Sequence, residues 1–328
     1  MKADPLRVIE AAYADAPSDR AWLAHITEAV LPLLDDGLGL FTSLITTKPG
    51  KRPSLDAVVS GGGLEDAEPR QRTILSEMPA PVLAEAFGKN RISTLTEFFG
   101  KPIGGDVSPL SEQLTPYGAR DSMGLVTINP SGSSCVISVP LRSPRILRPA
   151  FRDRWSRLMA HIGAGLRLRR APDEDDEDAI LDPTGAMQHA KPIAKSREAR
   201  AALRCAARAI ERARAKRRIA ADDAVAAWRA LAEGRWSLVD RFESDGRHFL
   251  IARKNPPRAG TPNLTEREAC VVALAALGRT NKDIAYELGL SVGTIGTVLS
   301  RAARKLGVRT RAQLIAEWNA RHSRTSRS

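Results

Sequence analysis

The chain has 328 residues, 43% of them hydrophobic and 27% charged, enough for two or three domains of ordinary globular composition, which excludes wholesale disorder. No apolar run approaches the ~18–20 residues of a bilayer span, and Cys135, Cys205 and Cys270 lack any CxxC spacing, which excludes a disulfide framework and a cysteine zinc site. The net charge of +12 is uneven: residues 1–170 and 171–260 each carry +3, and the last 68 residues carry +6, so a polyanion partner is expected at the C-terminal end.

In chain order, MKADPLRVIEAAYADAPSDR has no apolar h-region, so no signal peptide is expected and a reducing cytoplasm is the simplest compartment. DRAWLAHITEAVLPLLD (19–35) has helical spacing. GLGLFTSLITT (37–47) and LDAVVS (55–60) read as strands turning near Pro49-Gly50, and helices are expected over about 65–100. MGLVTINP (123–130) and SCVISVPL (134–141) form a predicted hairpin, and a long helix at 146–170 ends the segment. This order of elements is that of an α+β sensory module, and residues 1–170 resemble a GAF domain.

APDEDDED (171–178) holds six consecutive acids and reads as a solvated linker. AILDPTGAMQHA (179–190) predicts strand, turn and strand. A long Arg/Ala-rich helix (196–218), a shorter helix (222–233) and a hairpin around Asp245-Gly246 (236–254) follow. The opening and the final hairpin make 179–254 resemble a short PAS module. KNPPRAGTPN (254–263), with three prolines and a glycine, is a hinge, so 255–263 is taken as a second linker.

From Leu264 onward four helix-start signatures follow one another: Thr265-x-x-Glu268, Thr280-x-x-Asp283, Ser291-x-x-Thr294 and Thr310-x-x-Gln313. They predict helices near 266–277, 281–288, 292–306 and 311–320, with Gly278, Gly289 and Gly307 as the stops of the first three. A tight Gly289-Leu290-Ser291 turn makes 281–306 a helix-turn-helix, whose second helix enters the major groove. Ile295, Leu299, Ala302 and Leu306 form its predicted buried stripe against Ile284, Ala285 and Leu288. The opposite face carries Gly293, Thr297, Ser300, Arg301 and Arg304, and the bare amides near Ser291 and Thr294 suit a phosphate. Double-stranded DNA is therefore the expected partner. Cys270, Ala273 and Leu277 share one face of the first helix, read either as scattered surface apolars or as a docking face for the sensory region.

The carrying residues are Leu264-Thr265-x-Arg267-Glu268, Gly278, Asn281-Lys282-x-Ile284-Ala285 and Lys305-Leu306-Gly307-Val308-x-Thr310-Arg311. On them, residues 264–320 resemble the LuxR-type helix-turn-helix domain of LuxR, FixJ and NarL regulators. The resemblance implies DNA binding, with phosphate contacts at Lys282, Ser291, Thr294, Arg301 and Lys305. It also implies dimerisation through the last helix, where Leu314 and Trp318 are available. The sequence departs from the family at Gly296, where a long polar residue is usual, and at Val298, where His is common. Ser291-Val-Gly-Thr-Ile also resembles the recognition helix of a sigma factor.

The expected whole is a multidomain chain: an α+β GAF/PAS-like sensory region, then an all-α four-helix DNA-binding domain. Its expected role is a cytoplasmic, one-component transcription regulator that answers a small-molecule or protein signal and binds DNA as a homodimer, without a membrane. The alternatives are a sigma-like polymerase-associated factor, or an enzyme with a DNA-binding tail. The latter needs a catalytic constellation in 1–254, and no triad, metal or phosphate motif is present there. His25, His161, His189, His248 and His322 lack ligand spacing, Gly61-Gly62-Gly63 lacks GxxxxGK[ST], and no cofactor is expected. Asp35-Asp36 follows a helix rather than a strand, which argues against a phospho-receiver. The aromatic-lined acyl-lactone pocket of quorum-sensing relatives is not expected either, for want of Trp and Tyr.

Overall fold

The computed structural model describes residues 3–47, 51–102, 108–129, 132–170, 178–216, 231–232, 236–242, 248–254 and 264–325. The chain divides into two compact units, Met1–Arg167 and Leu168–Ser328. Both predicted linkers lie outside the described residues, apart from Asp178.

The first unit is built on a five-stranded antiparallel sheet of order β2-β1-β5-β4-β3. The strands are β1 (Leu40–Thr46), β2 (Ser54–Gly61), β3 (Arg91–Thr94), β4 (Asp121–Ile128) and β5 (Ser133–Leu141). Helices α1 (Pro5–Tyr13), α2 (Asp19–Leu34) and α7 (Pro149–Arg170) bury Leu6, Ile9, Trp22, Leu23, Ile26 and Leu158. The Thr27 and Thr42 hydroxyls, 2.7 Å apart, join α2 to β1. Helix α7 comes close enough to α1 that a Cβ on Gly165 would lie 1.9 Å from the Ala12 carbonyl oxygen, so only glycine fits. Helices α3 (Ala67–Glu77), α4 (Ala80–Phe87), α5 (Leu95–Phe99) and α6 (Ser108–Leu114) accompany a second cluster of Ile45, Leu75, Met78, Leu83, Val126 and Val136.

Three elements of this unit differ from expectation. Helix α1 was not foreseen: Asp4 caps it by accepting from the Leu6 N–H at 3.0 Å, and Pro5 sits at its first position, where no N–H is needed. Strand β3 interrupts the predicted helical stretch, because four residues carry no readable period and the pairing to β4 alone makes it a strand. Strand β1 starts three residues late, because Gly37 and Gly39 have positive φ and their N–H groups, with that of Leu38, point to the Asp35 carboxylate. Asp36 pairs with Arg145 at 2.9 Å. Burial opposes its ionisation, but the Arg142 N–H and the Arg145 guanidinium outweigh this and hold the carboxyl below its ordinary value. The acidic pair therefore builds a loop.

The second unit opens with another five-stranded antiparallel sheet, of order β7-β6-β10-β9-β8. Its strands are β6 (Ala179–Leu181), β7 (Met187–Ala190), β8 (Leu231–Ala232), β9 (Trp236–Phe242) and β10 (His248–Lys254). Numbered within each sheet, both follow the order second, first, fifth, fourth, third. Helix α8 (Arg197–Lys216) buries Leu203, Ala206, Ala207 and Ile210. It reaches the β6–β7 turn, where Arg208 donates to the Thr184 carbonyl. The predicted helix at 222–233 is corrected near its end, since Leu231 and Ala232 pair with β9; the rest of that prediction, 222–230 and 233, lies outside the described residues. The described residues 264–325 of this unit form a bundle of four helices.

No helix among the described residues is long and apolar enough to cross a membrane.

Candidate nucleic-acid interface

The bundle consists of α9 (Glu266–Ala276), α10 (Asn281–Leu288), α11 (Val292–Lys305) and α12 (Arg311–Thr325). Each start is capped as its sequence requires. The Thr265 hydroxyl accepts from the Glu268 N–H, and the Glu268 carboxylate accepts in return from the Thr265 N–H at 2.8 Å. Thr280 and Asp283 form the same reciprocal pair on α10. Ser291 accepts from the Thr294 N–H at 3.0 Å on α11, and Thr310 from the Gln313 N–H on α12.

Each of the first three helices ends with a glycine at positive φ. The residue after it donates back to a carbonyl in the last turn: Arg279 to Leu274, Leu290 to Ala285, Val308 to Ala303. Gly289, at φ 66°, turns the chain from α10 into α11 within three residues.

Packing fixes which face of α11 is free. Ile295, Val298, Leu299 and Ala302 are buried against Ile284, Ala285 and Leu288, and Leu306 packs on the same core. Thr297, Ser300, Arg301 and Arg304 are exposed, as are Gly293 and Val292, the latter half exposed. Arg301 and Arg304 make no ion pair or side-chain hydrogen bond with a described residue. Gly296 has no atom within 4 Å of where a Cβ would stand. The Thr297 hydroxyl donates to the Gly293 carbonyl at 3.0 Å, which leaves its oxygen lone pairs outward. Lys282 is exposed on the first turn of α10, and Ser291 on the cap of α11. Of the predicted set, Lys282, Ser291, Thr297, Ser300, Arg301 and Arg304 are exposed and Thr294 is half-buried. Lys305 donates to Glu268 Oε2 at 2.7 Å, so its ammonium is tied to the bundle.

Further side chains of the bundle differ from their expected roles. Leu314 and Trp318, expected to be available for pairing, are 1% and 6% exposed in the bundle's own core. The exposed positions of α12 are others, such as Ala312, Ala316 and Asn319. Ala273 of the expected docking face is likewise core, and Cys270 packs against that core, so the three residues make no free apolar stripe. Val292 was missed by sequence reasoning. An apolar residue at a helix start gives no signal until packing shows that it faces outward.

Two polar contacts brace the bundle. Arg279 Nε lies 3.4 Å from Glu287 Oε2, with both side chains buried. Arg311 donates to the Arg279 carbonyl and to Asn281 Oδ1, tying the start of α12 to the α9–α10 turn.

The C-terminal bundle is similar to known proteins. The family described as bacterial regulatory proteins, luxR family, matches residues 262–317. The spore germination protein GerE of Bacillus subtilis is 43% identical over 56 residues, which are 17% of this chain and 76% of that protein. YvfU of B. subtilis, an uncharacterized transcriptional regulatory protein, is 50% identical over 56 residues, 16% of this chain and 28% of its own length. Rv0890c of Mycobacterium tuberculosis, named as an HTH-type transcriptional regulator, is 39% identical over 89 residues; the chain spans 10% of its length. Among solved structures, Escherichia coli SdiA is 15% identical with a TM-score of 0.32, over 92% of this chain and 91% of that one.

Proposed function

The chain belongs to the luxR family of bacterial regulatory proteins, and from that membership we propose that it is a one-component transcription regulator that binds duplex DNA. The observation that carries this is the outward face of α11, with two uncommitted arginines, Arg301 and Arg304, on its C-terminal half and Ser291-capped amides suited to phosphate at its N-terminus. In this reading Ser291, Thr294 and Lys282 position the backbone, Arg301 and Arg304 neutralise phosphate or reach a base edge, and Val292, Thr297 and Ser300 face the groove. Two copies, meeting through the exposed side of α12, would span half-sites about one helical turn apart. The match to regulators favours this over the sigma-like reading.

Residues 1–170 and 179–254 are proposed as GAF-like and PAS-like sensory modules acting in the cytoplasm. The shared strand order of their sheets supports assigning both to one general kind of module. In vitro selection from random duplexes by the full-length protein is the test. Recovery of a repeated half-site with defined spacing is expected. Binding without any enriched sequence, or no binding in low salt, overturns the reading.

A further inference from the structure

The first unit contains a cavity of about 130 Å³ between its sheet and α3–α6, and its cause is legible in the strand register. Ser93, Gly124 and Ser138 stand side by side on β3, β4 and β5, and all three line the cavity. The alternate positions Met123, Leu125 and Ile137, on the opposite face, are large and buried. A sheet face in a protein interior is normally packed to crystal density. Here the cavity floor is made of the smallest side chains, and a Cβ on Gly124 would find its nearest neighbour 4.0 Å away. The walls are apolar, with Phe99, Ile74 and Met78 among them.

Two polar groups face this apolar space from adjacent positions of α3. Gln71 is 4% exposed, and its side-chain amide makes no hydrogen bond with a described residue. Arg70 Nε is buried without a hydrogen-bond partner, while its guanidinium lies 4.5 Å from the Tyr117 ring centroid. Arg70 makes no ion pair with a described residue, whereas Arg91, the other cavity arginine, is neutralised by Glu85. Buried donors are almost always matched by acceptors. A cavity that presents one buried donor without a partner, the Nε of an arginine that makes no ion pair with a described residue, is suited to an acceptor of negative charge.

We propose that this cavity binds a small apolar carboxylate, its oxygens accepting from Arg70 and Gln71 and its apolar body resting on the Ser93–Gly124–Ser138 floor. The volume suits a single ring or a short branched chain: an apolar cavity of about 150 Å³ holds a benzene. This deepens the sensory reading, on which its regulatory meaning rests, by naming the chemical class of the signal.

The test is calorimetric titration of the full-length protein with benzoate, benzyl alcohol and acetate. Benzoate should bind, benzyl alcohol at least about tenfold more weakly for want of the charge-assisted bond, and acetate not measurably. Gly124→Leu and Ser138→Leu should each abolish benzoate binding while keeping a cooperative thermal transition. Arg70→Met should bring benzoate down to the level of benzyl alcohol. Absence of benzoate binding overturns the assignment. So does benzoate binding that survives both cavity-filling substitutions, or that is indifferent to Arg70→Met. DNA affinity measured with and without benzoate separates the two readings: binding that leaves DNA affinity unchanged supports the cavity assignment and overturns the sensory role.

Discussion

Lys305, on the last turn of α11, donates to Glu268 Oε2 on the first turn of α9 at 2.7 Å. The same carboxylate accepts from the Thr265 N–H. One side chain thus caps the first helix and holds the end of the helix proposed to enter the groove. Burial opposes the ionisation of Glu268, but Lys305 and Thr265 outweigh it and keep its carboxyl below the ordinary 4.5.

A pH dependence follows from that relationship. The folded pKa of Glu268 lies below its unfolded value, so its stabilisation is fully present above about 4.5 and is lost as pH falls through the folded pKa. Glu268→Gln should lower the melting temperature at pH 7, and the difference from wild type should shrink toward pH 3. Lys305→Met should destabilise by about 1 kcal/mol, a modest figure because the lysine is 39% exposed. Thermal melts of the three proteins at both pH values check this. An undiminished Glu268→Gln difference at pH 3 contradicts the ion pair's role.

Arg301→Ala and Arg304→Ala should weaken DNA binding while leaving stability within about 0.5 kcal/mol, since both side chains are exposed and make no ion pair with a described residue. If Arg301 meets phosphate, the loss is equal across sequences and the salt dependence becomes shallower by about one unit of slope. Fluorescence anisotropy between roughly 50 and 200 mM salt measures both. A flat salt dependence in the wild type removes the phosphate reading.

Gly296→Lys restores the long polar residue usual in the family, into open space on the same helix. Replacing a helical glycine should stabilise by somewhat under about 1 kcal/mol. Binding should tighten, with an altered base preference at one position per half-site. Paired binding-site selections decide it: an unchanged motif means that the glycine-bearing face is not what reads the bases.

Trp318→Ala should cost about 3–5 kcal/mol, because the side chain is core. The loss should appear as a lower unfolding midpoint that does not depend on protein concentration. A concentration-dependent loss would restore Trp318 to a subunit interface. Gly289→Ala should destabilise by about 1–2 kcal/mol, since a side chain is forced into the left-handed region at the α10–α11 turn. Chemical denaturation at several concentrations tests both.

The four-helix bundle is legible in the sequence because its determinants are local. A hydroxyl three residues before its acceptor, a glycine just past the last turn and a stripe at helical spacing act within one or two turns. Thr265, Thr280, Ser291 and Gly289 therefore fix boundaries without any partner. Long-range contacts decided the rest. Trp318 and Ala273 look like surface residues until the bundle closes over them, and Lys305 looks like a phosphate ligand until Glu268 stands beside it. Strand β3 exists only through its pairing with β4, and the row Ser93–Gly124–Ser138 joins residues 45 positions apart that no local period connects. The strand order common to both sheets is equally invisible in the sequence, because pairing order depends on which strands meet and leaves no trace in the spacing of side chains.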